Sequence, residues 1–214
     1  MRNESYDWWR IGLLVNRNNC WNIDLKVFMN LLIMGPPGVG KGTQAKIIKN
    51  ELKIAHLSTG EILRKEIEMG TKVGLIAKDY IDKGQLVPDQ ILLDIINDRI
   101  VLPDCKNGYL LDGFPRTLGQ ANGLEKIMKS LKHSLDMAIS LTADEDELIN
   151  RLIKRGRKSG RTDDTPEVIR KRQKIYWVQT AQILDFYQNK NLLKNIDGLG
   201  EINEITNRIL AVLK

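Results

Sequence analysis

The residues best suited to chemistry form one run, Gly35-Pro36-Pro37-Gly38-Val39-Gly40-Lys41-Gly42-Thr43. Glycines let a backbone curl until successive N–H groups point inward at phosphate oxygens. A helix opening near Lys41 adds the partial positive charge of its N-terminus, and Lys41 supplies a full charge for β- and γ-phosphates. A glycine turn that only caps a helix is the bland alternative, but an apolar run precedes the segment and an amphipathic one follows it, which is the context a phosphate loop requires. One departure stands out. The usual pattern has Ser or Thr directly after the lysine, where the hydroxyl binds magnesium. Here Gly42 intervenes and Thr43 follows.

Phosphate transfer needs an acceptor site, and Tyr109-Leu110-Leu111-Asp112-Gly113-Phe114-Pro115-Arg116 offers pieces of one. An Asp at the C-terminal end of a strand beside a phosphate loop is placed to organise Mg²⁺, directly or through its waters. Asp112 serves that purpose or merely caps the turn before Pro115. Arg116 has the planar fork that takes a phosphate bidentately. In the second half Arg151 and Arg155 fall on one helix face, Arg161 lies in a glycine-flanked loop, and Arg172 sits on the next helix. A phosphoryl-transfer transition state spreads negative charge over equatorial oxygens, which permanently charged guanidinium groups answer. Asp163 and Asp164 either orient these arginines or pair with them.

Elements must hold these groups in place. Short apolar runs bounded by turn signals predict strands at Leu31–Met34, Ala55–Ser58, Tyr109–Asp112, Met137–Leu141 and Leu193–Ile196. Amphipathic periodicity predicts helices over Gly42–Leu52, Gly60–Met69, Val73–Lys83, Asp89–Val101, Leu118–Leu131, Glu145–Arg155, Pro166–Tyr187 and Glu201–Leu213. Strands of this kind suit burial on both faces. The expected fold is therefore α/β: a three-layer P-loop fold with a parallel five-stranded sheet and helices on each side.

The chain has 214 residues with 42% hydrophobic and 28% charged residues, the profile of a globular protein of one domain. Its net charge of +6 is scattered rather than gathered into a stripe, so no nucleic-acid partner is expected. No apolar run approaches the ~18 residues that span a membrane. Cys20 and Cys105 lie far apart, which argues against a zinc site or a disulfide framework and fits a reducing, cytoplasmic compartment. Residues 1–28 hold three of the four tryptophans and show no clean period. They read as an N-terminal extension, disordered or not native, with Met29 a candidate natural start; a targeting presequence or a docking arm are the rivals.

Together, Gly35–Thr43, Leu57-Ser58-Thr59-Gly60-Glu61-Ile62-Leu63-Arg64, Gly84-Gln85-Leu86-Val87-Pro88, Asp112–Gln120 and Arg161-Thr162-Asp163-Asp164 resemble adenylate kinase. The resemblance runs over about residues 29–214 and implies transfer of the γ-phosphate of ATP to AMP by a monomer, with Mg²⁺ accompanying ATP. It implies that Gly38, Val39, Gly40, Lys41, Gly42, Thr43, Arg151, Arg155 and the backbone near Gly198–Gly200 hold ATP. It assigns AMP to Thr59, Arg64, Gln85, Leu86, Val87, Gly113, Phe114, Arg116 and Gln120, with Arg161 and Arg172 bridging both nucleotides. The monophosphate-binding segment is expected at about 58–87. A short lid, without a zinc-binding insertion, is expected at about 156–164, with Gly156 and Gly160 giving it freedom to move. Sister kinases of UMP and CMP are similar throughout but carry Ala for the Thr and Asn for the Gln, so Thr59 and Gln120 imply adenine. A pyrimidine monophosphate kinase, or a nucleotide-binding module without transfer, are the alternatives.

Overall fold

The structure is a computed structural model and describes residues 11–12, 26–159 and 164–213. Arg161, Asp163, Gly160 and Cys20 lie outside the described residues. Five strands make one all-parallel sheet: β1 Met29–Met34, β2 Ala55–Ser58, β3 Gly108–Asp112, β4 Met137–Thr142 and β5 Leu193–Asp197, arranged β2-β3-β1-β4-β5. A separate two-residue antiparallel ladder pairs Ile11–Gly12 with Lys26–Val27. Each predicted strand is present within two residues of its expected ends. β1 lies at the centre, and the chain leaves it first toward β3 and β2, then toward β4 and β5. Such a reversal opens a crevice at the C-terminal ends of the strands. The phosphate loop leaves β1 at that edge.

Alternation along the strands builds a core on each face. Leu32, Met34, Leu57, Tyr109 and Leu111 pack on one side with Leu63, Ile96, Phe114, Leu124 and Ile183. Leu31, Ile33, Leu110, Ile139 and Leu141 pack on the other with Ala45, Ile48, Leu148, Ile205 and Ile209. The strand β3 is buried along its whole length, as expected for a strand covered on both faces. The edge strand β5 is not: Lys194 and Asn195 are exposed, because an edge is only half covered.

The helices are α1 Lys41–Leu52, α2 Thr59–Glu68, α3 Lys72–Asp82, α4 Asp89–Ile100, α5 Leu118–Ser130, α6 Glu145–Ser159, α7 Pro166–Ile175, α8 Gln182–Gln188 and α9 Ile202–Val212. Two departures from the sequence matter for the site. First, α6 does not stop at Arg155 but runs to Ser159, so Gly156 is helical. A Cβ at Gly156 would sit 3.0 Å from the Cβ and carbonyl oxygen of Asp164; close packing, rather than hinge freedom, accounts for glycine there. Second, the expected single helix Pro166–Tyr187 is broken by a π-turn at Tyr176–Thr180. The hydroxyl of Thr180 donates to the carbonyl of Arg116 at 3.0 Å, tying the widened turn to the acceptor loop. Such bulges gather at functional sites.

Candidate functional site

One cleft of about 690 Å³ lies at the C-terminal edge of the sheet. The phosphate loop forms its floor. Gly35 and Gly38 have φ of 137° and 92°, in the left-handed region that favours glycine. Cβ atoms there would fall 2.4 Å from the carbonyl of Leu141 and 2.7 Å from that of Leu148, so the loop is pressed onto β4 and α6 with no room for side chains. Val39 turns its side chain fully into the core, leaving only its backbone to face a ligand. Gln173 on α7 donates to the carbonyl of Pro37 at 2.9 Å and clamps the loop from above. Gln44, buried in α1, donates to Ile202 and accepts from the Thr206 hydroxyl, locking α1 to α9.

Lys41 lies half-buried in the cleft and donates to the carbonyls of Gly35 and Pro36 at 2.7 and 2.9 Å. Burial pushes its ammonium down from 10.5 to about 7; the positive charges of Arg116, Arg172 and Arg155 push the same way, against the opposing pull of Asp112. Charge-poor in solvent and crowded by cations, this ammonium gains from a polyanion arriving beside it. Thr43 is exposed at the start of α1 and lines the same cleft, as do Gly38, Gly40 and Gly42.

Asp112 ends β3 beside Ile33 and Ser58 of the neighbouring strands and is 8% exposed. Burial works to raise its pKa, but the bond from His56 and the charges of Lys41, His56 and Arg116 outweigh it and hold the carboxyl below its usual range. His56 Nε2 lies 3.3 Å from Asp112 Oδ2 with both side chains buried. Sequence reasoning passed over His56; a histidine inside the otherwise apolar Ala55–Leu57 run was the available signal. An ionised carboxylate at the cleft edge near the phosphate loop fits Mg²⁺, which is held by one or two carboxylates plus phosphate oxygens and waters.

On the opposite side, Thr59, Arg64, Gln85, Leu86, Val87, Gly113, Phe114 and Arg116 all line the cleft. The Thr59 hydroxyl donates to the carbonyl of Gly113 at 3.0 Å. The Arg116 guanidinium donates through Nε to that same carbonyl at 2.7 Å. Gln120 is fully buried behind Arg116 and does not line the cleft: its Oε1 accepts from the Arg116 N–H at 2.7 Å and its Nε2 donates to Asp89 at 2.8 Å. Asp89, too, escaped the reading of the sequence.

Arg151, Arg155 and Arg172 reach the cleft with Gly200 from α6, α7 and the loop after β5. Arg151 is steadied by Glu147 at 2.8 Å and by the carbonyl of Gly198 at 3.3 Å. Asp164 resolves the alternatives of the sequence in favour of pairing. Its buried carboxylate accepts from Arg155 through both oxygens, at 2.7 and 2.6 Å, and from Arg172 at 3.1 Å. Four cationic side chains, Lys41, Arg116, Arg155 and Arg172, thus line one cleft. Among the described residues no group of three or more His, Cys, Asp or Glu could hold a metal ion by itself.

The family model for adenylate kinase matches residues 33–192, from β1 to the last residue before β5. The chain belongs to the adenylate kinase family. Among its relatives, the adenylate kinase of Leptospira biflexa serovar Patoc is 49% identical over 180 residues, covering 84% of this chain and 97% of the relative. That of Nocardioides sp. is 45% identical over 185 residues, 86% and 97% of the two chains, and that of Stenotrophomonas maltophilia 45% over 186 residues, 87% and 100%. The adenylate kinase match thus takes in the phosphate loop, the α2–α3 segment and both arginine-bearing helices.

Proposed function

We propose that the chain transfers the γ-phosphate of ATP to AMP, giving two ADP, and so maintains adenine nucleotide balance. The observation that carries this reading is convergence: Lys41 from the phosphate loop, Arg116 from the loop after β3, and Arg155 and Arg172 from α6 and α7 line one cleft. An oxygen of the AMP phosphate attacks the γ-phosphorus in line, the bond from phosphorus to the β–γ bridging oxygen breaks, and the electron pair leaves with ADP. That oxygen is already a nucleophile at neutral pH, so no general base is needed. Positioning, charge neutralisation and water exclusion supply the catalysis.

In this reading Gly38, Gly40, Gly42, Thr43, Lys41, Arg151, Arg155 and Gly200 hold ATP, while Arg64, Gln85, Leu86, Val87, Gly113, Phe114 and Arg116 hold AMP. Arg172, with Arg161, spans the two. Mg²⁺ would be held by the nucleotide phosphates and, through water, by Asp112, and would neutralise charge on the transferring group. Closure of residues 156–164 over ATP would keep water from the γ-phosphate.

The choice of base is supported by Thr59. A hydroxyl has one proton and two lone pairs. Its proton is committed to the Gly113 carbonyl, so what remains accepts hydrogen bonds and favours the amino group of adenine over the keto oxygens of uracil and guanine. The reading further takes the protein as a cytoplasmic monomer; no helix among the described residues is long and apolar enough to cross a membrane. An acceptor panel of AMP, UMP, CMP and GMP with ATP as donor tests the function. AMP should be phosphorylated fastest, and a preference for UMP would overturn the assignment. Loss of nearly all transfer in Lys41→Ala separates an enzyme from a module that only binds nucleotide.

A further inference from the structure

Helix α7 touches both halves of the cleft. On the acceptor side, a Cβ at Gly84 would lie 3.0 Å from Val168 Cγ1 and 3.3 Å from Arg172 Cγ, so the helix is pressed onto the turn that opens the Gly84–Val87 segment. On the donor side, Gln173 Nε2 donates to the carbonyl of Pro37 at 2.9 Å, across 136 residues of sequence. Between these two contacts stands Arg172, which lines the cleft together with Pro37 and Gly84. One helix thus spans the distance from the phosphate loop to the acceptor segment and carries an arginine between them.

The phosphate loop offers few handles. Prolines at 36 and 37 carry no N–H, so this stretch presents its neighbours with carbonyl oxygens only. Those of Gly35 and Pro36 accept from Lys41, whose ammonium must also meet the phosphates. Gln173 has no such second duty: it is 1% exposed and does not line the cleft, so its bond to Pro37 need not be given up when a nucleotide arrives. Stability alone does not account for a glutamine here. Its Oε1 is buried and has no hydrogen-bond partner among the described residues. Leaving a buried acceptor unmet costs more than one neutral hydrogen bond returns. An apolar side chain of similar volume would therefore suit the packing at least as well, and Pro37, half-buried at the cleft wall, could turn its carbonyl to water.

We infer that Gln173 is a positioning residue for transfer: by tying Pro37 to the helix that bears Arg172, it fixes the separation between the donor phosphates and the acceptor. That role presupposes the transfer from ATP to AMP proposed above. In-line attack needs the reacting atoms about 3–3.5 Å apart, and a misplacement of about 1 Å can cost about a hundredfold in rate. Gln173 touches no substrate. Its effect passes through Pro37 on one side and Arg172 on the other, both of which line the cleft.

Gln173→Leu and Gln173→Met remove the amide and keep an apolar side chain of similar volume. For each variant three quantities are measured: the melting temperature, the equilibrium affinity for ATP, and the single-turnover rate of transfer with ATP and AMP both saturating. The melting temperature should be unchanged or raised and the affinity unchanged, while the rate falls about tenfold. A double-mutant cycle with Arg172→Ala adds a readout that packing would not move. If Gln173 works by holding Arg172 in reach of the donor phosphates, Gln173→Leu should cost clearly less once that arginine is gone. Transfer at the wild-type rate, or a loss of rate only in step with melting temperature or ATP affinity, would overturn the positioning role and leave Gln173 a packing or binding residue. Full additivity with Arg172→Ala would overturn it as well. Should the wild type itself move no phosphate to AMP, the proposed function fails instead, so the two failures are told apart in one assay.

Discussion

Replacing Lys41 by Met should make the nucleotide-free protein more stable while abolishing transfer. The ammonium titrates at about 7 rather than 10.5, so keeping it charged in the folded protein costs roughly 5 kcal/mol at 1.36 kcal/mol per unit. Part of that is offset by the bonds to Gly35 and Pro36, since a hydrogen bond from a charged donor contributes about 1.5–3 kcal/mol. Methionine keeps the length of the side chain and removes the charge, leaving a net gain of at most about 2 kcal/mol, or up to about 8 °C in melting temperature for a chain of this size. The sign with pH follows from linkage. Below about pH 7 the lysine is protonated in both folded and unfolded chains, and the whole penalty is present. Between about 7 and 10.5 the unfolded chain holds the proton that the folded one has released, so wild-type stability rises with pH and the penalty fades. Thermal melts of wild type and Lys41→Met across this range isolate the effect, because every other group titrates in both proteins. The gain should be full at about pH 6.5 and gone before about pH 9, where the falling penalty has outrun it. A variant no more stable than wild type at low pH, or a gain indifferent to pH, would refute the argument.

Three further outcomes are expected. Asp164→Asn leaves Arg155 and Arg172 facing each other without their shared carboxylate; because Arg155 is partly exposed, the loss should be about 2 kcal/mol rather than the 3–5 kcal/mol of a fully buried pair, readable as a lowered denaturation midpoint. His56→Phe removes the bond that helps keep Asp112 ionised, so the Asp112 pKa rises and the acid limb of the kcat/KM profile should move to higher pH; an unmoved limb would separate Asp112 from activity. Thr59→Ala deletes the hydroxyl acceptor beside Gly113 and should lower kcat/KM for AMP about tenfold relative to UMP and GMP, one lost hydrogen bond to the base, as an acceptor panel would show.

What could be read from the chain in advance was whatever is written locally. The phosphate loop is nine consecutive residues between an apolar strand and an amphipathic helix, and both neighbours formed where periodicity placed them. The strands were legible because a sheet covered on both faces demands short apolar runs, and Tyr109–Leu111 meets that demand at every position. Features set by distant partners were not legible. The π-turn at Tyr176–Thr180 answers to the carbonyl of Arg116, 64 residues back, and no periodicity within the helix reports it. His56 looked like a stray polar residue in a strand because its partner Asp112 arrives from the neighbouring strand. Likewise Asp89 resembled an ordinary acid at a helix start, where such residues are common for electrostatic reasons alone.

The carboxylate of Asp164 gives nucleotide binding the character of an exchange. Phosphate oxygens approaching Arg155 and Arg172 meet guanidinium groups whose N–H bonds already end on a buried anion, so the incoming charge replaces or shares a partner instead of condensing onto bare cations. Two consequences follow in the currency of ions. Less counterion is released than a count of arginines suggests, and the affinity for ATP should depend on salt more weakly than the number of cationic side chains around the cleft would indicate. The same exchange ties helix position to occupancy, since whatever loosens the grip of Asp164 also uncouples α6 from α7.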